Sequence, residues 1–147
     1  MIQTQAFKIV PLTPPAAIID NASLATAEID TAGFSYCDVY VWLAATDIAI
    51  TALKVQESDV SGSGMVDITG LVFGATGAPA LPSATDDNKL YCFHIDCRGG
   101  RKRFLDLVAT VGDGTVGAFA AAFAILSRAA EAPNTAAERG LAAELFV

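Results

Sequence analysis

The chain has 147 residues, 16 acidic and nine basic, for a formal net charge of −7. That length suits one domain, and a hydrophobic share of 53% supplies ample material for a core and excludes disorder of the whole chain. The acidic balance argues against nucleic acid as a partner, since phosphate neutralisation needs a basic face, and charged residues at only 17% suit a subunit whose surface is covered by partners better than a free monomer.

The opening residues Met1 to Lys8 lack a basic region followed by a continuous apolar run, so no secretory signal is expected. Phe7 to Leu12 reads as a strand, stopped by Pro14 and Pro15, which cannot donate to a ladder and suit an arm lying across a surface. Leu24 to Ile29 shows a weak period of two. Tyr36 to Leu43 is the clearest strand: Cys37, Val39, Val41 and Leu43 share one face and Tyr36, Asp38, Tyr40 and Trp42 the other. Both faces are substantially apolar, which predicts a central strand with a layer on each side, or an outer face covered by another subunit. Ile48 to Gln56 places Leu53 and Val55 inward, a flexible loop spans Ser58 to Gly64, and Met65 to Ile68 is a short strand.

Between Gly70 and Asn88 lies a long Gly/Ala/Pro/Thr/Ser-rich excursion, of a length that usually carries function or an interaction. Leu90 to Asp96 and Phe104 to Val111 are two further strands, which Arg98 to Lys102 is expected to join as a hairpin turn. Gly112-Asp113-Gly114-Thr115 predicts another hairpin. Val116 to Leu126 is the longest apolar run, well short of the roughly 20 residues of a membrane helix. Its alanine-rich part, Phe119 to Leu126, fits a helix or a strand, and the Asp-Gly turn before it favours the strand. Thr135 to Glu138 has capping-box spacing, with Gly140 as the stop of a short helix. The apolar end, Leu141 to Val147, reads as an arm.

Short strands at this turn spacing predict an all-β, antiparallel β-sandwich or jelly roll. The expected division is an N-terminal strand and Pro-rich arm over 1–15, a sandwich core over 16–130, and a short helix and arm over 131–147.

Usable chemistry is sparse. Cys92, His94 and Asp96 fall on one strand face and gather a thiol, the sole imidazole and a carboxylate. Strand neighbours two apart are separated by roughly 6.6 Å, too far on spacing alone for a nucleophile–base pair or joint zinc ligation. Only Cys37 and Cys97 are expected as possible further metal ligands, and nothing in the sequence requires them to converge. An odd cysteine count favours reduced thiols. Asp86-Asp87-Asn88 lacks the ligand spacing of a calcium loop and reads as a polar turn. Arg98, Arg101, Lys102 and Arg103 hold four of the nine cations, readable as a docking patch for an acidic surface or phosphate, or as a solvated turn. Tyr36, Tyr40 and Trp42 could stack a sugar ring, or serve as buried or interface aromatics. No enzyme activity, metal or cofactor is expected.

Phe34 to Leu43, Leu53 to Asp59, Arg101 to Leu107 and Ala124 to Ala129 resemble stretches of small head-associated proteins of tailed bacteriophages and prophages, with the similarity running from about Lys8 to Arg128. The resemblance implies a capsid decoration (cement) protein on the outside of the virion head, made in the host cytoplasm. It further implies a homo-oligomer, usually a trimer, bound to the major capsid protein, with neither nucleic acid nor membrane as partner. Contacts to the capsid or between subunits are then expected from Arg98, Arg101, Lys102, Arg103, Pro14, Pro15, Leu141, Leu145 and Phe146. A tail or head–tail connector component and a carbohydrate-binding jelly roll are the alternatives.

Overall fold

The computed structural model describes residues 6–13, 22–24, 26–112, 115, 117–131 and 135–145. Nine strands are formed among the described residues: β1 (Phe7–Thr13), β2 (Ala22–Ser23), β3 (Ile29–Asp30), β4 (Phe34–Thr46), β5 (Ala52–Ser58), β6 (Val66–Val72), β7 (Leu90–Asp96), β8 (Phe104–Val111) and β9 (Ala118–Ala129). No α-helix occurs among the described residues. The strands build two antiparallel sheets, β1-β9-β4-β7 and β2-β8-β5-β6, with β3 also pairing β8. The nested pairing of 1 with 9, 2 and 3 with 8, 4 with 7 and 5 with 6 is that of a jelly roll.

Alternation explains the sandwich. On β8, Leu105, Leu107, Ala109 and Val111 are buried, while Phe104, Asp106, Val108 and Thr110 between them are only half-covered. Leu105, Leu107, Ala109 and Val111 join Cys37, Val39, Val41 and Leu43 of β4, together with Phe93, Ile95, Ala124 and Leu126, in one core cluster. The alanine-rich segment is a strand, the alternative that the preceding Asp-Gly turn favoured. Its inward positions Ala118, Ala120, Ala122 and Ala124 are all buried against the opposite sheet. Among the described residues of the weak segment Leu24 to Ile29, only Ile29 lies in a strand, the two-residue β3 on β8, and the equally short β2 on β8 ends just before the segment.

Two expected hairpins are not formed. β7 lies in the first sheet and β8 in the second, so Arg98 to Lys102 connects sheets rather than adjacent strands. The same is true of β8 and β9 on either side of the Asp113-Gly114 signal, two residues that themselves lie outside the described ones. A local turn signal reports reversal of the chain, not which strand pairs with which. Of the connections between successive long strands among the described residues, β5 to β6 alone is a hairpin.

The termini are also more integrated than expected. β1 pairs along β9 from Phe7 to Thr13, and Leu12 belongs to the core. Pro14 and Pro15 lie outside the described residues. The capping box closes reciprocally, Glu138 accepting from the Thr135 N–H at 2.9 Å and the Glu138 N–H donating to Thr135 Oγ1 at 3.2 Å. A Schellman pair then ends it at once, Gly140 N–H to Ala137 O at 3.0 Å and Leu141 N–H to Ala136 O at 2.9 Å. The short helix expected there is therefore a single turn, because its start and stop signals are only five residues apart. The Ile9 N–H donates to Arg139 O at 2.8 Å, so this turn covers the outer edge of β1. Arg139 itself is 1% exposed and ion-paired with Glu144.

The long excursion after Gly70 is packed, not free. Phe73 meets Tyr91 and Phe93 edge-on at 5.7 and 5.2 Å, and the Ile50 N–H donates to the carbonyl of buried Pro82 at 3.0 Å. Asp87 accepts from the Thr46 N–H at 2.8 Å, and Asp86 binds the Ser83 N–H and Lys89 Nζ at 2.7 and 2.5 Å. The Asp86-Asp87-Asn88 run is thus a polar turn with its carboxylates internally satisfied.

Candidate functional site

Directly opposed residues of antiparallel strands share a face, so the register defines the outer surface of the β1-β9-β4-β7 sheet. Its rows run Ala121, Trp42, Leu90; then Pro11, Phe123, Tyr40, Cys92; then Ile9, Ile125, Asp38, His94; then Phe7, Ser127, Tyr36, Asp96. The surface grades from apolar to polar along the strands. At one end Trp42 and Leu90, direct partners, are 57% and 58% exposed, and Tyr40 stacks on Phe123 with ring centroids 5.2 Å apart. Of the aromatic stripe, Tyr36 and Tyr40 are half-buried and Trp42 projects outward.

At the polar end, Arg98 and Arg128 both lie over the Tyr36 ring, 4.7 and 5.1 Å from its centre. Arg98 also forks onto Asp96, Nε to Oδ1 at 2.9 Å and an amino group to Oδ2 at 2.7 Å. These bonds hold the Asp96 carboxyl down at about 2, against an ordinary 3.8. A depressed folded value means that whatever stability this pair gives is present above about pH 4 and fades as pH falls toward 2. Arg98→Ala is expected to move the Asp96 midpoint back up toward its ordinary value in a carboxyl-carbon NMR titration.

Between these ends sits a cluster that strand spacing did not reveal. His94 Nδ1 is 2.7 Å from Asp38 Oδ1 and 3.8 Å from Cys92 Sγ. The backbone separation of Cys92 and His94 is as expected, but their side chains lean together. The carboxylate is not Asp96, which is committed to Arg98, but Asp38, the cross-strand partner of His94. Neither expected further ligand joins them: Cys37 faces the core, and the Cys97 N–H is tied to Ser35 O beyond the strand end. Only the β4–β7 register brings Asp38 in, and no signal within either segment encodes that register. A groove of about 250 Å³ opens beside the cluster, lined by Gly70, Leu71, Phe73, Pro79, Cys92 and His94.

The cluster does not make a nucleophile relay. A relay places the thiol on one ring nitrogen and the orienting carboxylate on the other, whereas both converge here on Nδ1. The three thiols are free. Burial pushes Cys97 up to about 11 and raises Cys37 further still, and partial burial with the nearby Asp38 charge raises Cys92. Thiolate is the reactive form, so iodoacetamide at neutral pH is expected to label Cys92 first, Cys97 later and Cys37 only on unfolding, as read by peptide mass spectrometry.

The basic residues are largely balanced from within the chain. Arg103 forks onto Asp30 at 2.8 and 2.7 Å, Arg101 lies 3.6 Å from Glu57, and Arg98 is held by Asp96. The Lys102 N–H donates to Glu57 at 3.1 Å. Two of these cations, Arg101 and Arg103, thus pair with acids distant in sequence, and Arg98 with an acid two residues away, while the Lys102 bond is made by its backbone. Leu141 is half-buried beside the turn and Leu145 is 98% exposed, while Phe146 lies outside the described residues. No helix among the described residues is long and apolar enough to cross a membrane. No protein family, curated protein or solved structure matches the chain.

Proposed function

We propose that this protein is a bacteriophage capsid decoration protein that binds the outer surface of the head as a homo-oligomer and stabilises it. The observation that carries the reading is the outer face of the β1-β9-β4-β7 sheet, where Trp42 and Leu90 stand side by side, more than half exposed, beside Pro11, Ala121 and the stacked Tyr40 and Phe123. An apolar, aromatic-bearing strip of this kind fits the centre of a protein interface, with the charged Asp96/Arg98 end as its rim. The low overall charge and the sequence resemblance to phage head-associated proteins point the same way. The proposed occupants are further copies of this chain and the major capsid protein.

Light scattering on the purified chain, followed by co-sedimentation with undecorated heads, tests the reading. A trimer that saturates the heads is the expected result. A hexamer or larger ring transfers the reading to a tail or connector component, and a monomer that ignores heads at every concentration overturns it. The exposure of Trp42 also favours a second reading, a carbohydrate-binding module stacking a sugar on the indole. Trp42 fluorescence that shifts with a glycan, and not with heads, is what that reading requires.

A further inference from the structure

We propose that Asp38, Cys92 and His94 form a binding site for a zinc-class divalent metal ion, with a coordination position left open to solvent. The site stands independently of the assembly reading. The three donor atoms, one oxygen, one sulfur and one imidazole nitrogen, lie within 4.8 Å of one another. Tetrahedral zinc with bonds of about 2.0–2.3 Å sets its ligands roughly 3.3–3.5 Å apart. The observed 2.7 Å from Asp38 to His94 and 3.8 Å from His94 to Cys92 bracket that spacing, so small side-chain rotations reach it. The backbone needs no movement, because Asp38 and His94 are fixed opposite each other in the ladder and Cys92 is two residues along the same strand.

The donor set decides the class of ion. A thiolate and an imidazole select zinc and its neighbours over magnesium or calcium, which take oxygen ligands. The convergence of thiol and carboxylate on the same ring nitrogen, which rules out a relay, is what a shared metal needs. His94 is 76% exposed at its side chain, so metal in solution has direct access. Three protein ligands leave a fourth position for water or an outside donor, and the adjoining groove gives such a donor room.

The test is a cobalt titration of the chelator-treated, reduced full chain. One equivalent is expected to bind with a thiolate-to-cobalt charge-transfer band and to be displaced by zinc but not by magnesium. Cys92→Ser and His94→Ala should abolish the band, and Asp38→Asn should weaken binding. A measurement on the unaltered chain guards against misfolded variants: zinc should slow alkylation of Cys92 and leave that of Cys97 unchanged. Absence of the band, its survival in Cys92→Ser, or unprotected Cys92 in saturating zinc overturns the site.

Discussion

Replacing Gly140 with alanine is expected to lower stability by on the order of 3 kcal/mol. Gly140 has φ +77°, a left-handed conformation that costs an L-residue about 1–2 kcal/mol. A Cβ there would also overlap the carbonyl oxygen of Ile9, a backbone atom of β1, which is held along its other edge by pairing with β9. The turn must then lift from β1, losing the Ile9–Arg139 bond, worth about 1 kcal/mol, and loosening the buried Arg139–Glu144 pair. Urea unfolding should show a lower midpoint at unchanged slope. Gly77→Ala is the control, with a similar φ of +82° and nothing within 4 Å of an added Cβ, so it carries the conformational cost of about 1–2 kcal/mol alone. Equal losses at the two sites would show that docking of the turn onto β1 contributes nothing.

Trp42→Glu is expected to leave the folded chain intact and to weaken the proposed association by about 2 kcal/mol or more, roughly 30-fold. More than half of the indole is already in water, so its removal opens no core cavity. At an interface the same side chain is an anchor, since a large rigid aromatic buries much surface at small entropic cost, and a carboxylate in its place would be desolvated without a partner. Leu90→Glu, directly opposite, should act in the same direction. Val60→Glu is the control: Val60 is 60% exposed on the β5–β6 loop, away from this face. If oligomer mass and head binding survive Trp42→Glu, the strip is not the interface.

The all-β class, the division of β4 into two faces and the inward positions Leu53 and Val55 of β5 were legible in the sequence because side-chain alternation is a local property of each strand. The capping box and glycine stop near Thr135 were legible for the same reason: their hydrogen bonds join residues three to five apart. Strand pairing was not. The sequence suggested hairpins around Arg98 to Lys102 and Asp113-Gly114, yet β8 and its neighbours sort into different sheets, since burying both apolar faces in a two-layer sandwich outweighs local reversal.

The candidate site divides along the same line. Cys92 and His94 were visible as a pair, but the carboxylate that completes the cluster comes from β4, more than 50 residues away, and only the ladder places it. The cations near Arg98 looked free because Asp30 and Glu57 are far off in the chain. The sequence by itself determined composition, strand periodicity and local turns, which depend on neighbours a few residues apart. Which strands pair, which acids meet which bases, and which apolar face remains uncovered were decided by tertiary structure, because each depends on contacts between segments whose separation in sequence carries no record of their distance in space.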